Sequence, residues 1–262
     1  MTDALIRLLQ RLRLYGLGKS FRDRVIAIGP SNRRRAASML SFYGTFVKAG
    51  DLCFDVGANT GSRVAVLRAL GANVVAVEPQ KVCLDQLRKR FRNDPGVTLI
   101  PSALGRNPGT SEMLVSQARS ISSLSKDWVS AVKTSGRFAA YSWDERLTVP
   151  VTTLDHLIQD IGLPRFCKID VEGFEAEVLA GLSQPIETLS FEFTPEMTKT
   201  TDACVERLSA IGAYEFNFDI NESMRLQLTS WVGPEEIKSR LAAITDYRQF
   251  GDVYARLRPP SD

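Results

Sequence analysis

The spacing of apolar positions changes twice along this chain. Leu5, Leu8, Leu9 and Leu12 recur every three or four residues with Arg7 and Arg11 on the opposite side, which predicts an amphipathic helix over residues 3–14. Gly16 and Gly18 end that pattern, Gly29-Pro30-Ser31-Asn32 makes a second break, and another helix is expected from Arg33 to Phe46. From Leu52 onward, short apolar runs alternate with helical ones. Strands are expected at Leu52–Val56, Asn73–Val77, Val97–Ile100, Phe166–Ile169, Ile186–Phe193, Tyr214–Phe218, Arg225–Trp231 and Asp252–Leu257. Helices are expected at Ser62–Leu70, Lys81–Arg92, Leu154–Ile161, Phe174–Leu182, Ala203–Ile211 and Pro234–Ala243. Apolar strands joined through helices describe an α/β chain, with a parallel sheet covered on both faces. Residues 106–150 interrupt the rhythm, with a loop at Ser120-Ile121-Ser122-Ser123, and an insertion of this kind is a natural lid or substrate wall.

Composition narrows the class. With 262 residues, 44% hydrophobic and 24% charged, the chain is neither disordered nor collagen-like, and it can bury a large core without staples. Cys53, Cys83, Cys167 and Cys204 are widely spaced with no CxxC, which fits reduced thiols in a cytoplasmic protein and argues against zinc. His156 is the single histidine, so His-rich metal sites are excluded. Residues 1–50 hold ten Lys or Arg against Asp3 and Asp23, a net of +8, whereas the remainder is net −5. The chain therefore divides into a basic helical N-terminal extension, 1–49, and a body, 50–262. The leucine and arginine faces of residues 3–14 suit an anionic membrane surface, with peripheral attachment, or a partner subunit. Packing on the body with solvated arginines accounts for them equally well.

The chemistry concentrates at Asp55-Val56-Gly57-Ala58-Asn59-Thr60-Gly61, a buried strand that runs into a glycine turn and opens a helix. Such a turn lets backbone approach a ligand, and the helix N-terminus offers free N–H groups. The GxxxG spacing is neither a dinucleotide fingerprint nor a P-loop. Asp55 at the strand tip repels pyrophosphate and attracts an ammonium, and Glu78-Pro79 ends the second strand where a carboxylate can take ribose hydroxyls. A ligand with ribose, amine and carboxylate but no phosphate describes S-adenosyl-L-methionine. Gly57, Ala58, Asn59 and Gly61 complete the expected loop.

Together with Glu78-Pro79, Val149-Pro150-Val151-Thr152-Thr153-Leu154-Asp155, Lys168-Ile169-Asp170-Val171-Glu172-Gly173-Phe174-Glu175 and Asp252-Val253-Tyr254-Ala255, this loop resembles the FkbM-type methyltransferases from roughly Gly50 to Leu257. The resemblance implies a Rossmann-like sheet of seven strands, the last antiparallel, and methyl transfer from S-adenosylmethionine to a hydroxyl of a sugar, glycolipid or natural product. It also implies that Ser102, Ala103 and Leu104 line the adenine. Where that family often carries a histidine after the strand glutamate, this chain has Phe193, Thr194 and Pro195 following Glu192.

A hydroxyl acceptor must lose a proton, so a base is expected at the carboxyl ends of the strands. Asp170 is the nearest candidate, Glu172 supports it, and Glu192 borders the same crevice. A helix-capping role for Glu172 and Glu175 is the alternative reading. Three carboxylates make Mg²⁺ conceivable, but no spacing demands it, and the metal-free reading is preferred. Ser122 and Ser123 face either the site or the loop. Trp128, Tyr141 and Trp143 either stack on a sugar or pack the insertion. His156 and Asp155 read as helix-start residues. Arg33-Arg34-Arg35 raises an RNA or protein methyltransferase as an alternative, and a non-catalytic cofactor-binding module is a third reading. The net-acidic body argues against nucleic acid.

Overall fold

The computed structural model describes residues 30–258, so the expected helix at 3–14 lies outside the described residues. Seven strands form one sheet: β1 (Leu52–Val56), β2 (Asn73–Val77), β3 (Val97–Ile100), β7 (Phe166–Ile169), β8 (Thr188–Phe193), β9 (Tyr214–Phe218) and β10 (Gly251–Leu257). Their spatial order is β3-β2-β1-β7-β8-β10-β9. The first five are mutually parallel, and β10 runs antiparallel to both neighbours. Strand order reverses beside β1, between β2 and β7, and open parallel sheets hold ligands at such a switch point.

Alternation along each strand sends residues to two cores. Phe54, Val56, Val75, Ile169 and Phe191 pack on the side of α5 (Leu154–Ile161), α6 (Glu175–Ala180), α7 (Thr198–Ile211) and α8 (Pro234–Ala242). Cys53, Val74, Ala76, Phe166 and Tyr254 face α1 (Pro30–Tyr43), α2 (Ser62–Ala69) and α3 (Lys81–Phe91). Through Met39, Phe42 and Tyr43, α1 is part of that second core, with Phe42 edge-on to Tyr254 at 5.1 Å. All four cysteines are buried and unpaired. No helix among the described residues is long and apolar enough to cross a membrane.

Two expectations are corrected. The insertion is more ordered than its composition suggests: β4 (Ala103–Leu104), β5 (Gly109–Val115) and β6 (Glu145–Thr152) form a second sheet in the order β4-β6-β5, and α4 (Lys126–Ser135) packs beside it. Its strands are half-exposed, so polar residues such as Thr110, Glu112, Arg146 and Thr148 disguise them. The strand expected at Arg225–Trp231 is absent. The side chain of Asn217 takes the backbone role there, accepting from Leu228 N at 3.1 Å and donating to Leu228 O at 2.9 Å. The isolated Phe216–Val232 bridge and a Gln227 N–H to Phe218 O bond of 2.8 Å remain, and Met224 at φ 55 stops an extended run before it starts.

Candidate active site

The carboxyl ends of β1, β2, β7 and β8 open into a cavity of about 750 Å³, within the range of small-molecule sites. Gly57 shapes its floor. At φ +83 its ideal Cβ would stand 1.8 Å from the Asp170 carbonyl oxygen, so the turn after β1 and the loop after β7 touch only because this position has no side chain.

Asp55 is buried beneath that turn, and its Oδ2 has no hydrogen-bond partner among the described residues. Burial raises its pKa to about 6, against the lowering pull of Arg63 and Lys168. Glu78 is equally enclosed, but its oxygens accept from Asn59 N at 2.9 Å and Gln80 N at 2.8 Å. Burial still lifts it to about 7, with those backbone bonds opposing. Gln80 then ties the β2 tip to the insertion, donating to the Arg119 carbonyl at 3.0 Å and accepting from Ser122 Oγ at 3.3 Å. Ser102, Ala103 and Leu104 form the adjoining wall, and the buried Ser102 hydroxyl has no partner among the described residues. Ala58, Asn59 and Pro79 also line the cavity. Of the expected cofactor residues, Gly61 alone is absent from the wall. It caps α2 at φ 79, and a Cβ there would come within 2.6 Å of Leu87 and Phe91, so it serves the turn and the packing behind it.

Across the crevice, Asp170, Glu172 and Glu192 offer oxygens within 4.8 Å of one another. Lys168, 1% exposed, donates to Asp252 Oδ1 at 2.7 Å and to Asp170 Oδ2 at 3.2 Å, while Arg63 stands 3.7 Å from Asp170. Burial opposes the Asp170 charge, but these two cations outweigh it and hold the pKa below the ordinary aspartate value. Glu172 and Glu192 go the other way: burial comes first, followed by Asp170 and Glu175 for Glu172 and by Glu172 and Asp170 for Glu192, and pushes both well above an ordinary glutamate. The loop after β7 that carries Glu172 is fixed from below. Glu175 Oε1 accepts from Val171 N at 3.1 Å and Gly173 N at 3.2 Å, and Ser123 Oγ donates to the Glu172 carbonyl at 2.6 Å. Ser123 and Glu175 are therefore supports of the site.

Trp128 and Trp143 belong to the core of the insertion, and the Trp143 indole N–H donates to Ile121 O at 2.7 Å. Tyr141 packs edge-on to Phe138. Asp155 anchors the chain by accepting from Ser183 N, and His156 N is capped by Thr153. The outer wall that sequence reasoning missed consists of Phe138, Tyr247, Arg248 and Phe250. Arg137 joins its two halves, pairing with Glu196 through both oxygens and donating to Gln249 O at 2.8 Å. Nothing local in the sequence announces that contact, which spans 112 positions. Arg63 and Lys168 were missed for the same reason.

The sequence pattern of the methyltransferase FkbM domain matches residues 55–224, from the crevice aspartate to the turn before α8. The chain belongs to the FkbM methyltransferase family. Within this FkbM protein, 143 residues are 27% identical to the hexuronic acid methyltransferase AglP of Haloferax volcanii, covering 54% of each chain. The chain thus spans about half the length of that curated relative. Among solved structures it is similar to a precorrin-6Y C5,15-methyltransferase of Geobacter metallireducens, with TM-score 0.45, 11% identity, and 87% and 88% of the two chains covered. It is also similar to Aeropyrum pernix fibrillarin, solved with natively bound S-adenosyl-L-methionine, with TM-score 0.42, 9% identity, and 80% and 68% covered.

Proposed function

We propose that this FkbM-family chain is an S-adenosylmethionine-dependent O-methyltransferase whose acceptor is a hydroxyl of a sugar, glycolipid or natural product. One observation carries the reading: a buried carboxylate with an unpartnered oxygen, Asp55, under a glycine cradle in the crevice that Glu78 also lines. Those residues fit the cofactor. Asp55 takes an ammonium, Glu78 takes ribose hydroxyls, and Ser102, Ala103 and Leu104 border the base. The carbohydrate acceptor is supported by AglP, which is named for a hexuronic acid, and by the aromatic and arginine groups of the outer wall.

The bound cofactor supplies a methyl group on a sulfonium, which leaves as a neutral thioether. The chain must align an acceptor oxygen with that carbon and remove its proton. Asp170 is poorly suited to the second task, since Lys168 and Arg63 hold it as a carboxylate of low basicity. Glu172 and Glu192 are the better proton acceptors, because burial, and after it the neighbouring carboxylates, raises their affinity for a proton. Asp170 in turn sets the field around them. A divalent ion in this cluster has to compete with the two cations already on Asp170, so the proton-transfer route is metal-free. The test is mass spectrometry for a gain of one methyl group across a panel of sugars, uronic acids and glycolipids. Methylation of a hydroxyl in the wild type, and its loss in Glu192→Gln, supports the reading. Methylation of nitrogen, RNA or protein alone overturns it.

A further inference from the structure

Arg63 stands in the first turn of α2, directly behind the glycine turn, and its side chain lines the cavity at 15% exposure. A long cation at this place is not needed to form the helix. Its Nη2 pairs with Glu222 and lies 3.7 Å from Asp170, whereas its buried Nε has no hydrogen-bond partner among the described residues. A guanidinium carries five donors in a planar fork that matches a carboxylate, so donors remain to be used. Glu222 is itself held by Arg35 of α1. It sits in a left-handed turn, with Asn221 at φ 54, Glu222 at 50 and Met224 at 55, a conformation rare for residues with a Cβ. That turn is fixed by Met224 N donating to Asp219 Oδ2 at 3.2 Å and Asn221 N donating to Phe250 O at 2.7 Å. Arg63 is thus clamped from behind with its place in the cavity wall preserved.

Charge also points to a ligand. Arg35, Arg63 and Lys168 are met by Glu222, Asp170 and Asp252, which leaves Asp55 on the cavity wall as a carboxylate with no ion-pair partner among the described residues. A sulfonium amino acid bears a positive sulfur, an ammonium and a carboxylate, so its net charge is the complement. We propose that Arg63 receives the carboxylate of the cofactor's amino-acid end while Asp55 receives its ammonium, with Glu222 and Arg35 as positioning residues for the guanidinium. This rests on the cofactor reading above and adds to it how the zwitterionic end is recognised.

Calorimetry on the full chain with two uncharged-sulfur probes tests it: S-adenosylhomocysteine, and 5′-methylthioadenosine, which lacks the amino-acid end. Arg63→Met is expected to weaken S-adenosylhomocysteine about ten- to hundredfold, the scale of a hydrogen bond to a charged group, and to leave methylthioadenosine within about twofold. Arg63→Lys recovers part of the loss. Glu222→Gln, which keeps the guanidinium but loosens it, lowers the first affinity a few-fold and spares the second, and it carries the test should Arg63→Met fail to fold. Equal losses for both probes mean a merely structural role and overturn the proposal, as does an unchanged ratio between them. If wild type binds neither probe, the cofactor reading itself falls and takes this inference with it.

Discussion

The β1–β2 edge of the crevice ends in buried carboxylates and its β7–β8 edge in half-buried ones, and Asp55 and Asp170, at the tips of adjacent strands, are partnered in opposite ways. Asp55 has no ion-pair partner among the described residues and one oxygen with no hydrogen bond, while Glu78 accepts from two backbone N–H groups and has no ion-pair partner among the described residues. Asp170 has Lys168 at 3.2 Å and Arg63 at 3.7 Å. Desolvated carboxylates without cations are costly to the folded protein and gain most from a cationic ligand. Carboxylates that already have cations are settled before any ligand arrives. In the proposed function, one edge binds the cofactor and the other holds charge steady beside a proton transfer.

The largest effect expected from this contrast is on rate. Glu192→Gln should slow methyl transfer about 10²–10⁴-fold, the usual worth of a general base, with S-adenosylhomocysteine affinity unchanged in calorimetry. Retention of full turnover would remove Glu192 from the chemistry. Next comes stability. Lys168→Met leaves Asp252 and Asp170 without their shared cation, and breaking a buried pair in this way costs about 3–5 kcal/mol in denaturant unfolding.

Asp55→Asn should do the reverse in the ligand-free protein. The folded-state pKa of Asp55 is about 6, above its unfolded value, so its destabilising contribution appears as pH rises through that interval and is complete at pH 7. The amide avoids this penalty, so the ligand-free variant should melt at or above the wild-type temperature at pH 7, and the difference should vanish near pH 4. A clear loss of stability at pH 7 would mean that Asp55 is paired after all. The same titration acts on binding: S-adenosylhomocysteine affinity should fall as pH drops below about 6, where Asp55 takes a proton and cannot receive an ammonium. The smallest effect expected is none, since EDTA should leave turnover unchanged. Its abolition by EDTA and restoration by Mg²⁺ would assign the Asp170, Glu172 and Glu192 oxygens to a metal instead.

The two edges also differ in how far they can be read from the chain. Asp55 and Glu78 follow unbroken apolar runs, Leu52–Phe54 and Val74–Val77, so buried parallel strands and their tips are visible at once. Lys168 reads locally as an interruption of a strand. Its meaning comes from Asp252, 84 positions away, and only the sheet order β7-β8-β10 brings them together on one face. Arg63 likewise becomes interpretable through Glu222, 159 positions on. The outer wall of Phe138, Tyr247 and Phe250 lies in loops whose sequences carry no periodicity, and the half-exposed strands of the insertion hide among polar residues. Burial on both faces leaves a pattern in sequence, whereas partnership between distant loops does not.

The most direct measurement is a calorimetric titration of S-adenosylhomocysteine into wild type, Asp55→Asn, Glu78→Ala and Glu192→Gln at pH 7.5. A single site is expected in wild type, weakened by about 1.5–3 kcal/mol in each of the first two variants and within about twofold of wild type in the third. No binding to wild type, or an equal loss in all three variants, would contradict a crevice whose β1–β2 edge holds the cofactor and whose β7–β8 edge does the chemistry.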